Sequence, residues 1–179
     1  MKYILSVFLP VFLSLSVFAQ QNITLPVDEE TGRVAYDSVM TIQGSKTLLL
    51  DKALKWFKSY YRNPSQVIQS RDTAISKIIG KHKFVLMVPG KKGVKENKGY
   101  IIYSIKVWTK DNKVRFRLTD IHREYSTYLG IELWMKPNVP AWDENQAKLK
   151  VIDQYMKGLQ HAFFTYMTTT PKKYNEDDW

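Results

Sequence analysis

The 179-residue chain carries 27 Lys and Arg against 17 Asp and Glu, for a formal net charge of +10, and has no cysteine. The missing cysteine excludes disulfides and a lipoprotein-type anchor, so stability must come from the core alone. The basic balance admits nucleic acid, acidic glycans, lipid head groups or acidic proteins as partners, and also plain solubility.

The chain opens with Met1-Lys2, an almost unbroken apolar run over Ile4–Phe18, and Val17-Phe18-Ala19. This is the layout of a secretory signal peptide cleaved after Ala19. The run is shorter than the roughly 20 residues a membrane-spanning helix needs, and no later segment is apolar enough to cross. The expected organisation is a signal peptide at 1–19, one α+β domain at 20–170 and a polar tail at 171–179. The expected product is periplasmic or secreted. Export removes genomic DNA as a partner and leaves an acidic glycan, a lipid head group or an envelope protein.

Asp28–Gly32 reads as a turn, and Val34–Ile42, rich in β-branched and aromatic residues, as a strand. Ser45 is placed to cap a helix from Lys46 to about Tyr61, with Leu49, Ala53, Trp56, Phe57 and Tyr60 on its apolar side and Asn63-Pro64 as its stop. Gly44-Ser45-Lys46-Thr47 invites comparison with a phosphate-binding loop, but the earlier glycine and a lysine directly after the second glycine are missing, so the helix cap is the reading. Val67–Arg71 and Ile75–Val88 are expected strands, the second with a bend or bulge at Gly80. Pro89–Lys98 has the composition of a basic loop.

Gly99–Glu124 predicts a long antiparallel hairpin that turns at Asp111-Asn112. The turn sets Trp108 against Arg115, Lys106 against Arg117 and Ile101 against His122. One side then carries Ile101, Tyr103, Ile105, Val107, Val114, Phe116 and Leu118, ending in Asp120 and His122. The other carries Tyr100, Ile102, Ser104, Lys106, Trp108, Arg115, Arg117, Thr119, Ile121 and Arg123. The first side is apolar and belongs in a core. The second is basic and aromatic. Its first expectation is a solvated sheet face with long side chains lying over aromatics. The sharper alternative is a platform for an anionic or ring-shaped ligand, with Tyr100, Lys106, Trp108, Arg115, Arg117 and Arg123 as candidate binding residues.

Beyond the hairpin, Ile131–Met135 is an expected short strand and Pro137 and Pro140 mark a loop. Asp143 is the expected cap of a last helix, Glu144 to about Met167, whose stripe of Leu149, Ile152, Met156, Leu159, Phe163 and Tyr166 packs on the sheet. Strands in consecutive hairpins with separate helices imply an α+β fold, an antiparallel sheet of about five strands with two helices on one face.

Leu25-Pro26 with Asp28–Gly32, the strand into Gly44-Ser45-Lys46, the helix carrying Trp56-Phe57 and the strand Val114–Ile121 together resemble a family of exported bacterial proteins. These are domains of unknown function with a TATA-binding-protein-like fold, and the likeness covers roughly Pro26–Glu124. The resemblance implies a curved antiparallel sheet with helices on its convex side. It implies no activity.

His82, His122 and His161 share no metal-ligand spacing, and no metal or cofactor is expected. No Ser-centred elbow, zinc-protease helix or Gly-rich cofactor loop is present. The expected role is therefore a non-enzymatic binding or structural module. The alternative is a hydrolase built on Asp120, His122 and Glu124.

Overall fold

The computed structural model describes residues 22–90, 93–125 and 127–169; the expected signal peptide, the tail from 171 and the loop lysines Lys91 and Lys92 lie outside the described residues. The elements are β1 (Tyr36–Thr41), α1 (Lys46–Tyr60), the single turn α2 (Pro64–Val67), β2 (Ile68–Asp72), β3 (Lys77–Pro89), β4 (Lys95–Lys110), β5 (Lys113–Arg123), β6 (Leu129–Gly130), a 3-10 helix (Ile131–Met135) and α3 (Trp142–Thr168). The strands make one antiparallel sheet in the order β1-β5-β4-β3-β2, and the two-residue β6 also pairs with β5. The class is the expected one, with a sixth strand added.

The hairpin of β4 and β5 is the centre of the sheet. Its register near the turn follows the residue pattern: Lys110 opposes Lys113, Trp108 opposes Arg115 and Lys106 opposes Arg117. Asn112 takes the left-handed conformation (φ 60°) that lets a two-residue loop close. The turn also holds α1. An Asp111 carboxylate oxygen accepts from the Lys46 amide at 2.7 Å, and the Asn112 side-chain oxygen accepts from the Gly44 amide at 3.0 Å. Ser45 Oγ accepts from the Leu48 amide at 3.3 Å, as expected of the cap. The free amides of the first helical turn are thus met partly by the helix's own cap and partly by the hairpin. An Asn-Gly turn would lack the second side chain.

The apolar side of the hairpin is fully buried: Ile101, Tyr103, Ile105, Val107, Val114, Phe116 and Leu118 have no exposed area. Against it α1 places Leu49, Leu50, Ala53, Trp56 and Phe57, and α3 places Leu149, Ile152, Met156, Leu159, Phe163 and Met167. Phe116 stacks on Phe163 at 4.3 Å between ring centres, and the Trp56 ring meets both edge-on. Burying large aromatic side chains gives each roughly 1.5–3 kcal/mol of stabilisation. Tyr60, expected on this side, is 43% exposed, and Leu50 is buried instead.

Other expectations are corrected by the structure. Gly80 is not a bulge. It sits in regular pairing with Ile105, and its missing side chain makes room for α1, since a Cβ there would lie 2.9 Å from Phe57 Cε1. The irregularity lies in the neighbouring strand, between Ile68 and Ser70. The basic loop is shorter than its composition implies, because β4 begins at Lys95, opposite Pro89. Ile131–Met135 is a 3-10 helix and not a strand. The preceding β6 pairs only with His122 and Arg123. Asp143 is not the cap of α3. The helix starts two residues earlier than expected, at Trp142, behind Ala141 in the left-handed conformation (φ 58°), with Asp143 and Glu144 in its first turn. Acidic side chains there still complement the helix dipole.

Candidate functional site

The second side of the sheet carries no helix among the described residues. Strand pairing arranges it in rows that run across the strands. One row is Val39, Arg115, Trp108, Lys77 and Asp72; the next is Asp37, Arg117, Lys106, Ile79 and Ser70. Thr119, Ser104 and Lys81 make a third, and His122, Ile102 and Lys83 a fourth. Neighbours within a row are one strand spacing apart, about 4.8 Å.

The centre of this face is neutralised. Asp37, from β1, accepts from both Arg115 and Arg117. Asp28, in the turn before β1, accepts from Arg117 at 2.7 Å, and Thr31 donates to it through both amide and hydroxyl. These bonds lower the Asp28 pKa from the ordinary 3.8 to about 2, with the Thr31 hydroxyl as the largest cause and Arg117 next. Hydrogen bonding from Arg115 likewise holds Asp37 below the usual carboxylate range. Lys106 lies 3.7 Å from Asp120, and Lys83 lies 2.7 Å from Glu124. Arg117 is only 19% exposed. Of the expected binding residues, Lys106, Arg115 and Arg117 are therefore committed to partners within the fold.

The end of the face nearest the hairpin turn differs. Lys77 Nζ and Arg115 Cζ sit 5.2 and 5.4 Å from the centre of the Trp108 ring, a distance at which a cation is held by the ring's electrons. Lys77, Lys110 and Lys113 have no acidic partner within ion-pair distance among the described residues, and neither has Lys81 in the third row. At the opposite end Tyr100 is 41% exposed, with Lys83 Nζ 4.6 Å from its ring centre.

Past Thr119 the expected pairing slips by one residue. Ser104 opposes Thr119, yet Ile102 opposes His122 and Ile101 opposes Arg123. The extra residue is accommodated where Asp120 takes a left-handed conformation (φ 53°). Every side chain beyond the bulge changes sides. Ile121, expected on the basic side, is fully buried. Arg123 leaves the basic side and lies over the Tyr125 ring at 4.5 Å. His122 and the Asp120 carboxylate move onto the uncovered face. The bulge stands where the outer edge of β5 passes from β1, paired as far as Leu118, to β6, paired from His122.

The bulge brings Asp120, His122 and Glu124 to one region but not into one network. His122 Nδ1 meets the backbone carbonyl of Asp120 at 2.7 Å, and its ring packs on Tyr128. The Asp120 carboxylate faces Arg33 and Lys106, and that of Glu124 faces Lys83. Among the described residues no carboxylate is hydrogen-bonded to the His122 imidazole, so the expected cluster is not assembled. A different histidine is tied to hydroxyls: His82 Nδ1 lies 3.4 Å from Tyr103 Oη, which also meets Tyr61 and Tyr155. Burial lowers the His82 pKa and raises that of Tyr103.

Lys77, Lys81 and Lys83 were not singled out from the sequence as site residues. Their odd-numbered spacing on β3 was a readable signal that they share a side. Asp28 and Asp37 had no such signal, because both reach Arg117 from far along the chain.

The sequence pattern of a domain of unknown function with TBP-like fold, DUF4468, matches residues 36–124, from the start of β1 to the end of the central hairpin. No curated protein matches the chain. Among solved structures, a DUF4468 family protein from Bacteroides ovatus superposes with a TM-score of 0.65 at 16% identity, over 82% of this chain and 93% of that one. A TBP-like protein from Parabacteroides distasonis gives 0.64 at 16% identity, over 81% of this chain and 97% of its own. At such identity the likeness speaks to the fold, which is TBP-like in all three. The chain thus belongs to the DUF4468 family of domains of unknown function.

Proposed function

We propose that the protein is an exported, non-enzymatic binding module, and that its uncovered sheet face takes an acidic glycan at the end nearest the hairpin turn. The observation that carries this reading is the cluster Lys77, Trp108 and Arg115, flanked by Lys110 and Lys113. Among the described residues three of its four lysine and arginine side chains have no acidic partner, while on the rest of the face Lys83, Lys106 and Arg117 are paired and Lys81 alone of the row cations is not. Both cations crowd the indole, so Trp108 positions charge and is not a bare stacking surface. That chemistry suits a repeated anion better than a neutral sugar. Export rests on the leader-like Met1–Ala19. The Asp120 and Glu124 carboxylates pair with cations and not with His122, which leaves the hydrolase alternative without its expected cluster.

The test is salt-dependent binding of polygalacturonate to the purified protein. Replacing Lys77, Lys110 and Lys113 together by Ala is expected to weaken binding about tenfold or more at 0.1 M salt, since each exposed contact contributes on the order of 0.5–1 kcal/mol. Lys106→Ala is expected to change it less than twofold. Equal loss in both variants, or binding indifferent to salt, would count against this site.

A further inference from the structure

On the far side of the molecule from the sheet face, α1 and α3 leave an open groove of about 860 Å³ between them. Its floor is Leu49 and Trp56, and its walls include Leu48, Tyr60, Ala162 and Tyr166. Leu48 remains 60% exposed and Tyr60 43%. A volume of this size with a mostly apolar lining is typical of small-molecule sites.

Among the described residues, the charges around the groove that lack a partner of opposite sign are positive. Lys52 and Lys55 line it, and among the described residues neither has an acidic partner within ion-pair distance. Lys52 Nζ is held at the groove's end by the Thr169 carbonyl at 2.9 Å, which uses one of its three donors. The acid in the lining, Asp51, is engaged by Arg71 at 2.8 Å. An apolar trough with positive charge along its α1 side complements one kind of molecule: a hydrocarbon or ring system that ends in an anionic group.

We infer that this groove binds a single-chain amphiphile with a carboxylate head, its chain lying over Leu49 and Trp56 and its head at Lys52 and Lys55. The site is independent of the sheet face, on the other side of the core. A carboxylate there would receive charge-assisted hydrogen bonds from the Lys55 ammonium and from the donors of Lys52 that the Thr169 carbonyl does not take. The apolar chain would cover Leu48 and Tyr60, the two exposed apolar residues of α1.

Isothermal titration of the purified protein with dodecanoate below its micellar concentration tests this, with dodecyltrimethylammonium as the same chain carrying the opposite charge. The expected result is one site, with binding of the cationic amphiphile about tenfold weaker. The double variant Lys52→Glu/Lys55→Glu should lose roughly tenfold for dodecanoate and gain for the cation. Ala162→Trp should fill the groove and abolish binding. Leu48→Glu serves the same end at an exposed position where folding is not at risk. Polygalacturonate binding should be unchanged in all of them. Equal binding of the two amphiphiles, or unaltered binding by Ala162→Trp and Leu48→Glu, would overturn the proposal. So would a protein that ignores both amphiphiles and runs as a dimer that Leu48→Glu dissociates, since the groove would then be a face between copies.

Discussion

Asp28 holds Arg117 at 2.7 Å through one oxygen and accepts from Thr31 through the other, tying the turn before β1 to the middle of the sheet. Its pKa, lowered from 3.8 to about 2, makes this contact a pH-dependent contribution to stability. Because the folded value lies below the unfolded one, the contribution is complete above about pH 4 and is lost as the pH falls through about 2. Asp37, lowered by Arg115, acts in the same direction. The wild-type protein is therefore expected to lose stability progressively between pH 4 and pH 2. Asp28→Asn should be less stable at neutral pH and should show a shallower decline across that interval. Thermal midpoints measured every half pH unit for both proteins check this, and parallel curves would contradict it.

Among the elements, the β4–β5 hairpin was the most legible, because alternation of apolar and polar residues on both strands admits only one register near the turn. The bulge at Asp120 was not legible. Nothing in Leu118–Glu124 marks an inserted residue, since an aspartate rather than a glycine takes the positive φ. Its cause is tertiary, the change of outer partner from β1 to β6. For that reason the uncovered face could be read from Trp108 and Arg115 but not past Thr119, where His122 and Arg123 exchange sides. The docking of the hairpin turn on α1 was equally hidden, although both partners, Asp111-Asn112 and Gly44-Ser45, were recognisable as turn and cap. That contact gives an element-scale prediction. Asp111→Ala removes the acceptor of the Lys46 amide and should cost about 0.5–2 kcal/mol, the range of a lost helix cap. Asp111→Asn retains an acceptor oxygen and should cost less. Urea unfolding should show a lower midpoint for Asp111→Ala with an unchanged slope. A cost as small as that of an ordinary exposed substitution would mean that the turn and the helix are not coupled.

For the molecule as a whole, the division of labour between the two sides of the sheet decides where substitutions act. One side takes both helices, as the stripes of α1 and α3 predict, and its interactions are apolar. The other is built from ion pairs on a protein of net charge +10, so the proposed glycan binding there should weaken with salt while the core should not. Trp56 is where the layers meet: its ring lies 5.0 Å from Phe163 of α3 and 5.8 Å from Phe116 of β5, and it is 1% exposed. No helix can leave the sheet without breaking this cluster, so α1, α3 and the sheet should unfold in one transition. Trp56→Ala opens a cavity among rings from three elements and should cost about 3–5 kcal/mol, a large part of the stability of a single domain. The expected result is one urea transition, seen alike by circular dichroism and by fluorescence of the remaining tryptophans, moved to lower urea in the variant. Raising the salt should leave that displacement unchanged, because the lost contacts carry no charge. If the two signals separate, with helix content falling before the sheet's fluorescence changes, then α3 is held by something other than the Trp56–Phe163–Phe116 contact, and the two layers are separate cooperative units.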